Sequence, residues 1–180
     1  MFTSMLVVFI IGTPFINYFS SHHIHDPIRE DGPEDHIIKK IGTPTMGGVL
    51  ILIGLFSGIL LWGDLQNPYI WFLIFIVGSF GLLGAYDDFK KIKKKNSSGI
   101  SSKFKFLWQI ILATIGVLIL VYFLDSSHLQ KLYFPFFKNL IINLGWFFIP
   151  FYIFIIVGSS NAVNLTDGLD GLATVPVILV

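Results

Sequence analysis

The chain has 180 residues, 54% of them hydrophobic and 13% charged, against about 45–50% and 25% in ordinary soluble domains. Twelve Lys and Arg nearly balance eleven Asp and Glu, which excludes the polar excess of a disordered chain and the basic surface of a nucleic-acid-binding one. With no Cys there is neither a disulfide framework nor a thiolate metal site, and nineteen Phe with a mean hydropathy of +0.77 make lipid the expected solvent.

In chain order, five uncharged stretches stand out: Met1 to Phe19, Met46 to Trp62, Leu65 to Tyr86, Phe106 to Leu124 and Leu140 to Gly158. Each is long enough to cross a bilayer, for which roughly 20 apolar residues are needed. A sixth begins at Leu172 and reaches Val180 too soon to cross, so the chain reads as truncated, with a partial span over 172–180. The first stretch has no preceding basic residue and no small-residue cleavage site, which favours a membrane anchor over a removable signal peptide. The expected fold is all-α: one polytopic transmembrane domain over 1–180, a helical bundle of five spans plus a truncated sixth.

The loops between these spans share their basic residues unevenly. Arg29, Lys39 and Lys40 lie in the first, seven Lys between Asp87 and Lys105 in the third, and Lys131 and Lys138 in the fourth; the second and fifth have none. Alternate loops therefore hold ten and two, and the positive-inside rule makes loops one, three and five cytoplasmic. The polar residues of interest fall on that same side.

Asp87 and Asp88 follow 22 uncharged residues. A charge costs several kcal/mol inside hydrocarbon and little at the interface, so a span terminus is one reading and a Mg²⁺ site is the other, since that hard cation takes carboxylates, waters and phosphate oxygens. Neighbouring helical residues point about 100° apart, so at most one of the pair is expected to aim at a given ligand. The lysines Lys90, Lys91, Lys93, Lys94 and Lys95 read first as topological determinants and second as attractors of anionic headgroups.

In NAVNLTDGLDGLA, Asn161, Asn164, Asp167 and Asp170 recur at every third position. A 3₁₀-like turn would align them, whereas an α-helix would rotate them by about 60° per step. Two acids, two amides and two glycines between apolar runs point to a functional site. Loop one ends KIGTPTMGG, where Thr43, Thr45, Gly47 and Gly48 offer hydroxyls and accessible amides to a phosphate and Lys40 a counter-charge; the spacing is not that of a P-loop. The competing reading is a turn before a packing helix, since Gly54 and Gly58 have small-xxx-small spacing. No cluster of acids accompanies His22, His23 and His25 closely enough for a metal site, and they read as solvated loop residues.

Taken together, GTPTMGG (Gly42 to Gly48), AYDDFKK (Ala85 to Lys91) and NAVNLTDGLDGLA (Asn161 to Ala173) resemble the bacterial phospho-N-acetylmuramoyl-pentapeptide-transferases, or translocase I. IREDGPEDH (Ile28 to His36) and PFFK (Pro135 to Lys138) resemble that family too, so the likeness runs over nearly the whole chain. DD or DGLDG alone would be shared with the wider superfamily of polyprenyl-phosphate sugar-phosphate transferases.

The resemblance implies a multi-pass enzyme of the bacterial cytoplasmic (inner) membrane with its active-site loops in the cytoplasm. It implies transfer of phospho-MurNAc-pentapeptide from UDP-MurNAc-pentapeptide to undecaprenyl phosphate, giving lipid I and UMP with Mg²⁺. It also implies catalytic and metal-holding roles for Asp87 and Asp88, the first as base toward the lipid phosphate, and substrate contacts for Lys40, Thr45, Lys91, Asn164, Asp167 and Asp170. The family's third essential acid and its histidine-rich motif fall beyond Val180. Expected partners are the two substrates and membrane lipids, with no nucleic acid and with a homodimer left open. Three readings compete: a sister transferase using UDP-N-acetylglucosamine, which TPTM after Gly42 disfavours; a transporter portion, disfavoured because the acids sit at span ends rather than the midplane; and a non-catalytic fragment.

Overall fold

A computed structural model describes residues 2–22, 46–94, 99–124, 126–134 and 137–166. In chain order these form α1 (Phe2–Ser21), α2 (Gly47–Trp62), α3 (Pro68–Lys94), α4 (Ser102–Phe123), a short α5 (Ser126–Leu129), strands β1 (Lys131–Phe134) and β2 (Phe137–Asn143), a 3₁₀ turn (Gly145–Phe147) and α6 (Phe148–Thr166). They divide into two compact units, Met1–Lys105 and Phe106–Val180.

Among the described residues, four helical segments are long and apolar enough to cross a membrane: Phe2–Ser21, Pro68–Lys94, Ser102–Phe123 and Gly145–Leu165. The second expected span, Met46 to Trp62, falls short: α2 has 16 residues, or about 24 Å of helix at 1.5 Å per residue, against a hydrocarbon core of about 30 Å. The partial sixth lies outside the described residues.

In the first unit, α1 and α2 run antiparallel with backbones drawn together at small residues. Gly12 faces Leu50, Gly54 faces Val8 and Ser4, and Gly58 faces Ser4. A Cβ at Gly54 would lie 3.1 Å from the Ser4 carbonyl oxygen, so the small-xxx-small spacing is used for close helix approach. At one end of the pair the Trp62 indole N–H donates to Thr3 Oγ1 at 2.8 Å. α2 then packs antiparallel on α3, with Leu52 against Gly81, Phe56 against Gly78 and Ile70 beside Gly63. The connecting turn is built by side chains: Asp64 Oδ1 accepts from the Gln66 N–H at 3.1 Å, and Asn67 Oδ1 accepts from the Tyr69 N–H at 3.0 Å. Asn67 thus caps α3, with Pro68 at its first position, where its missing N–H costs nothing.

α3 differs from the sequence expectation at both ends: it begins three residues after Leu65 and continues two turns past Tyr86, to Lys94. Asp87 and Asp88 therefore lie inside a helix rather than at its end. Charge alone had set the expected boundary, yet Lys91, Lys93 and Lys94 favour the negative C-terminal end of the helix dipole and extend it.

In the second unit, α4 buries Gln109, Ala113, Gly116, Val117 and Leu120 along one stripe, the spacing of a helix face. α6 presents Phe148 and Val157 to the interior, and the Tyr152 hydroxyl donates to the Leu129 carbonyl at 2.9 Å. Between them the all-α expectation needs correction. β1 and β2 form an antiparallel hairpin pairing Lys131 with Asn143, Leu132 with Ile142 and Tyr133 with Ile141. The span expected over Leu140 to Gly158 is thereby moved: its first four residues are strand, and its helix runs from Phe148 to Thr166. An apolar run does not by itself distinguish strand from helix. What separates them here is Gly145 at φ +52°, a conformation that glycine adopts freely, with its N–H donated to Asn143 Oδ1 at 2.9 Å.

Candidate functional site

The clearest polar constellation lies in the last two turns of α3. Residues three and four apart on a helix are neighbours, so Lys91 reaches back to both acids: its Nζ is 3.0 Å from Asp87 Oδ2 and 3.0 Å from Asp88 Oδ1. Side-chain length overcomes the 100° offset, and both acids converge on one cationic centre.

Asp87 is the more enclosed of the pair, with 9% of its surface exposed. Its other oxygen, Oδ1, accepts from the Ile100 backbone N–H at 2.6 Å, which ties the stretch before α4 to the end of α3. Gly99 makes that approach feasible, since a Cβ there would collide with the Asp87 carboxylate. A carboxylate held on one side by a backbone amide and on the other by an ammonium is fixed in orientation. Lys91 offsets one of the two negative charges.

That donor set suits a hard divalent cation, which accepts one or two carboxylates and completes its shell with waters and phosphate oxygens. Among the described residues no group of three or more His, Asp or Glu could hold a metal ion. The carboxylates of Asp87 and Asp88 are of the oxygen-donor type that such a cation takes.

Of the remaining site expectations, Lys40, Thr45, Asp167 and Asp170 lie outside the described residues. Met46, directly after Thr45, has φ 66°, a left-handed conformation uncommon for a side-chain-bearing residue, and it turns the chain into α2. In the second unit, α6 is α-helical through Thr166, so Asn161 and Asn164 belong to a regular helix rather than to an aligned 3₁₀ run. Asn164 is exposed near its C-terminal end.

Asn161 faces inward. Its Nδ2 donates to Gln109 Oε1 of α4 and to the Val157 carbonyl, each at 2.8 Å. Gln109, 3% exposed, was missed at the level of sequence because the search there was for charges. Its signal was present as a polar residue in the apolar run Phe106 to Leu124. Gly99 and Ile100 were also missed, since no residue-type pattern marks a backbone amide as a carboxylate's partner.

The chain belongs to glycosyl transferase family 4, whose model matches residues 68–180, from the first residue of α3 onward. A shorter pattern, the phospho-N-acetylmuramoyl-pentapeptide-transferase signature 1, matches residues 40–52. The chain is 74% identical, over all 180 of its residues, to a phospho-N-acetylmuramoyl-pentapeptide-transferase of Pelagibacter ubique, of which it spans 50%. It is 48% and 44% identical to the proteins of that name from Caulobacter vibrioides and Phenylobacterium zucineum, covering 99% of this chain and 50% of each relative. The chain thus spans about half the length of the curated relatives it matches, and the resemblance read from its motifs is borne out.

Proposed function

We propose that the protein transfers phospho-MurNAc-pentapeptide from UDP-MurNAc-pentapeptide to undecaprenyl phosphate, forming lipid I and UMP in peptidoglycan synthesis at the bacterial inner membrane. The observation that carries this reading is the convergence of Asp87 and Asp88 on one cationic position at the end of a membrane-length helix, in a chain with these relatives. Phosphoryl transfer between two anions asks the protein for charge neutralisation and in-line positioning more than for covalent chemistry. An oxygen of the lipid phosphate attacks the sugar-bearing phosphorus of the nucleotide, a new P–O bond forms, the bond to the bridging oxygen breaks, and UMP leaves.

In this reading Asp87 is the fixed carboxylate, turned by Ile100 and Lys91 toward the lipid phosphate, whose proton it takes. Asp88 and Asp87 are the residues that would hold Mg²⁺, which when bound neutralises phosphate charge. Lys91 exchanges its carboxylate partners for phosphate oxygens when substrate arrives, and Lys40 and Thr45 contact the nucleotide side. Asn164, Asp167 and Asp170 contact the nucleoside and diphosphate. Asn161, engaged with Gln109, positions that helix.

The test joins residues 1–180 to the remaining half of the Pelagibacter relative and measures UMP release from UDP-MurNAc-pentapeptide with undecaprenyl phosphate and Mg²⁺. Product that requires Asp87 and is absent with UDP-N-acetylglucosamine supports the proposal. Turnover of UDP-N-acetylglucosamine instead would assign the sister reaction.

A further inference from the structure

The hairpin β1–β2 takes no part in the proposed reaction, and its surface is unusual for a two-stranded sheet. Paired residues of an antiparallel ladder share a face and successive residues alternate. Tyr133 and Ile141 therefore mark one face, and Leu132 and Ile142 the other. The first face is the open one, with Tyr133 57% and Ile141 50% exposed and Phe137 near the tip at 64%, whereas on the second Leu132 and Phe134 are half-buried. A lone two-stranded hairpin is marginal in water, and this one would present Tyr133 and Ile141 to water on its open face.

The elements joined to the hairpin indicate its occupant. α4 ends in exposed Tyr122 and Phe123, and exposed Trp146 and Phe147 stand where the chain re-enters the helix of the next candidate span. Tyr and Trp gather where headgroups meet acyl chains, so the aromatic ends of both spans set the level at which the hairpin leaves and rejoins the bilayer. Its depth is bounded as well. The sheet has two strands among the described residues, so each strand keeps an outer row of backbone N–H and C=O groups that hydrocarbon cannot satisfy. Lys131, exposed at the base opposite Asn143, can direct its ammonium to lipid phosphates while its stem lies along the apolar surface.

We propose that strands β1 and β2 lie flat in the headgroup and upper acyl region of the bilayer as an interfacial anchor, with lipid covering the face that bears Tyr133 and Ile141. A hairpin standing upright would carry Phe137, Tyr133 and Ile141 into water. One seated deep would strand its edge amides.

These 180 residues contain no Cys, and any Cys elsewhere in the protein is first replaced by Ser. The whole protein, carrying Tyr133→Cys, Phe137→Cys or Ile141→Cys singly, is labelled with an environment-sensitive fluorophore. It is then reconstituted in vesicles of phosphatidylcholine and phosphatidylglycerol. Leu118→Cys, exposed on α4 within a candidate span, is the insertion control and must be quenched by lipid with a nitroxide near the chain end. At least one hairpin position should be quenched more by a nitroxide near the headgroup than by one near the chain end, with little quenching by aqueous iodide. Iodide quenching without nitroxide quenching at all three overturns the proposal, as does stronger quenching by the deep nitroxide. Protection from both quenchers means that protein covers the hairpin, and also overturns it. A labelled position that disturbs pairing is recognised by rapid amide exchange over 131–143, and the other two decide the outcome.

Discussion

Asp87 and Asp64 show how much a carboxylate's role depends on what its two oxygens meet. Asp87 is held by Ile100 and Lys91 at the end of α3, whereas Asp64 caps the turn before α3 through a bond to Gln66 that an asparagine oxygen could also accept. In the completed enzyme, Asp87→Asn and Asp88→Asn should each lower turnover by about 100-fold or more, the lower range for loss of a positioned acid–base group. Asp64→Asn should leave turnover nearly unchanged, as measured by UMP release at equal protein in the membrane. Gly99→Ala is the subtler probe. Its Cβ would push on the Asp87 carboxylate, so turnover should fall while both acids remain present. Unchanged turnover would show that the Ile100 contact does not position the site. The acidic pair was evident in the sequence, but its shared lysine and its backbone partner were not, because those contacts depend on where α3 stops and α4 begins.

At the scale of elements, the α1–α2 seam and the α4–α6 bond rest on different forces. Gly54 allows α2 to approach the backbone of α1 near Ser4, and Gly54→Val should overpack that contact at a cost of about 1–3 kcal/mol, read as a lower thermal midpoint in detergent. Gln109→Leu removes an interhelical amide bond, for which membrane double-mutant cycles average about 0.6 kcal/mol. Asn161 keeps its bond to the Val157 carbonyl, so the loss should be small. A cycle combining Gln109→Leu with Asn161→Leu, followed by denaturant unfolding, measures the coupling. Helices were legible where the apolar run was long, as with Phe106 to Leu124, which contains most of α4. The hairpin was not, because Leu140, Ile141 and Ile142 continue the apolar run into α6, and Gly145 separates them through a backbone angle rather than a change in hydropathy.

For the whole molecule, alternating direction decides which loops share a side. Antiparallel packing of α1, α2 and α3 puts the end of α1, the start of α2 and Lys94 at one end of the first unit, and Asp64 at the other. With the basic asymmetry of ten to two, the end bearing Lys94 is expected in the cytoplasm. A membrane-impermeant maleimide applied outside intact cells should therefore label Asp64→Cys and His128→Cys and spare Lys94→Cys and Asn164→Cys. The reverse pattern would invert the orientation and place the acidic pair away from a cytoplasmic nucleotide.

The sequence by itself determined that this chain prefers lipid to water, roughly where its apolar helices run, and which family its motifs belong to. These are properties of composition and local spacing, which persist whatever packs against them. Only the tertiary structure decided that Asp87 and Asp88 meet at a single lysine, that Asn161 turns inward to Gln109, and that part of the expected fifth span is a hairpin. The physical reason is common to all three. Each outcome depends on side-chain reach, helix length and backbone rotation at one residue, quantities that a residue's type leaves open until its neighbours are in place.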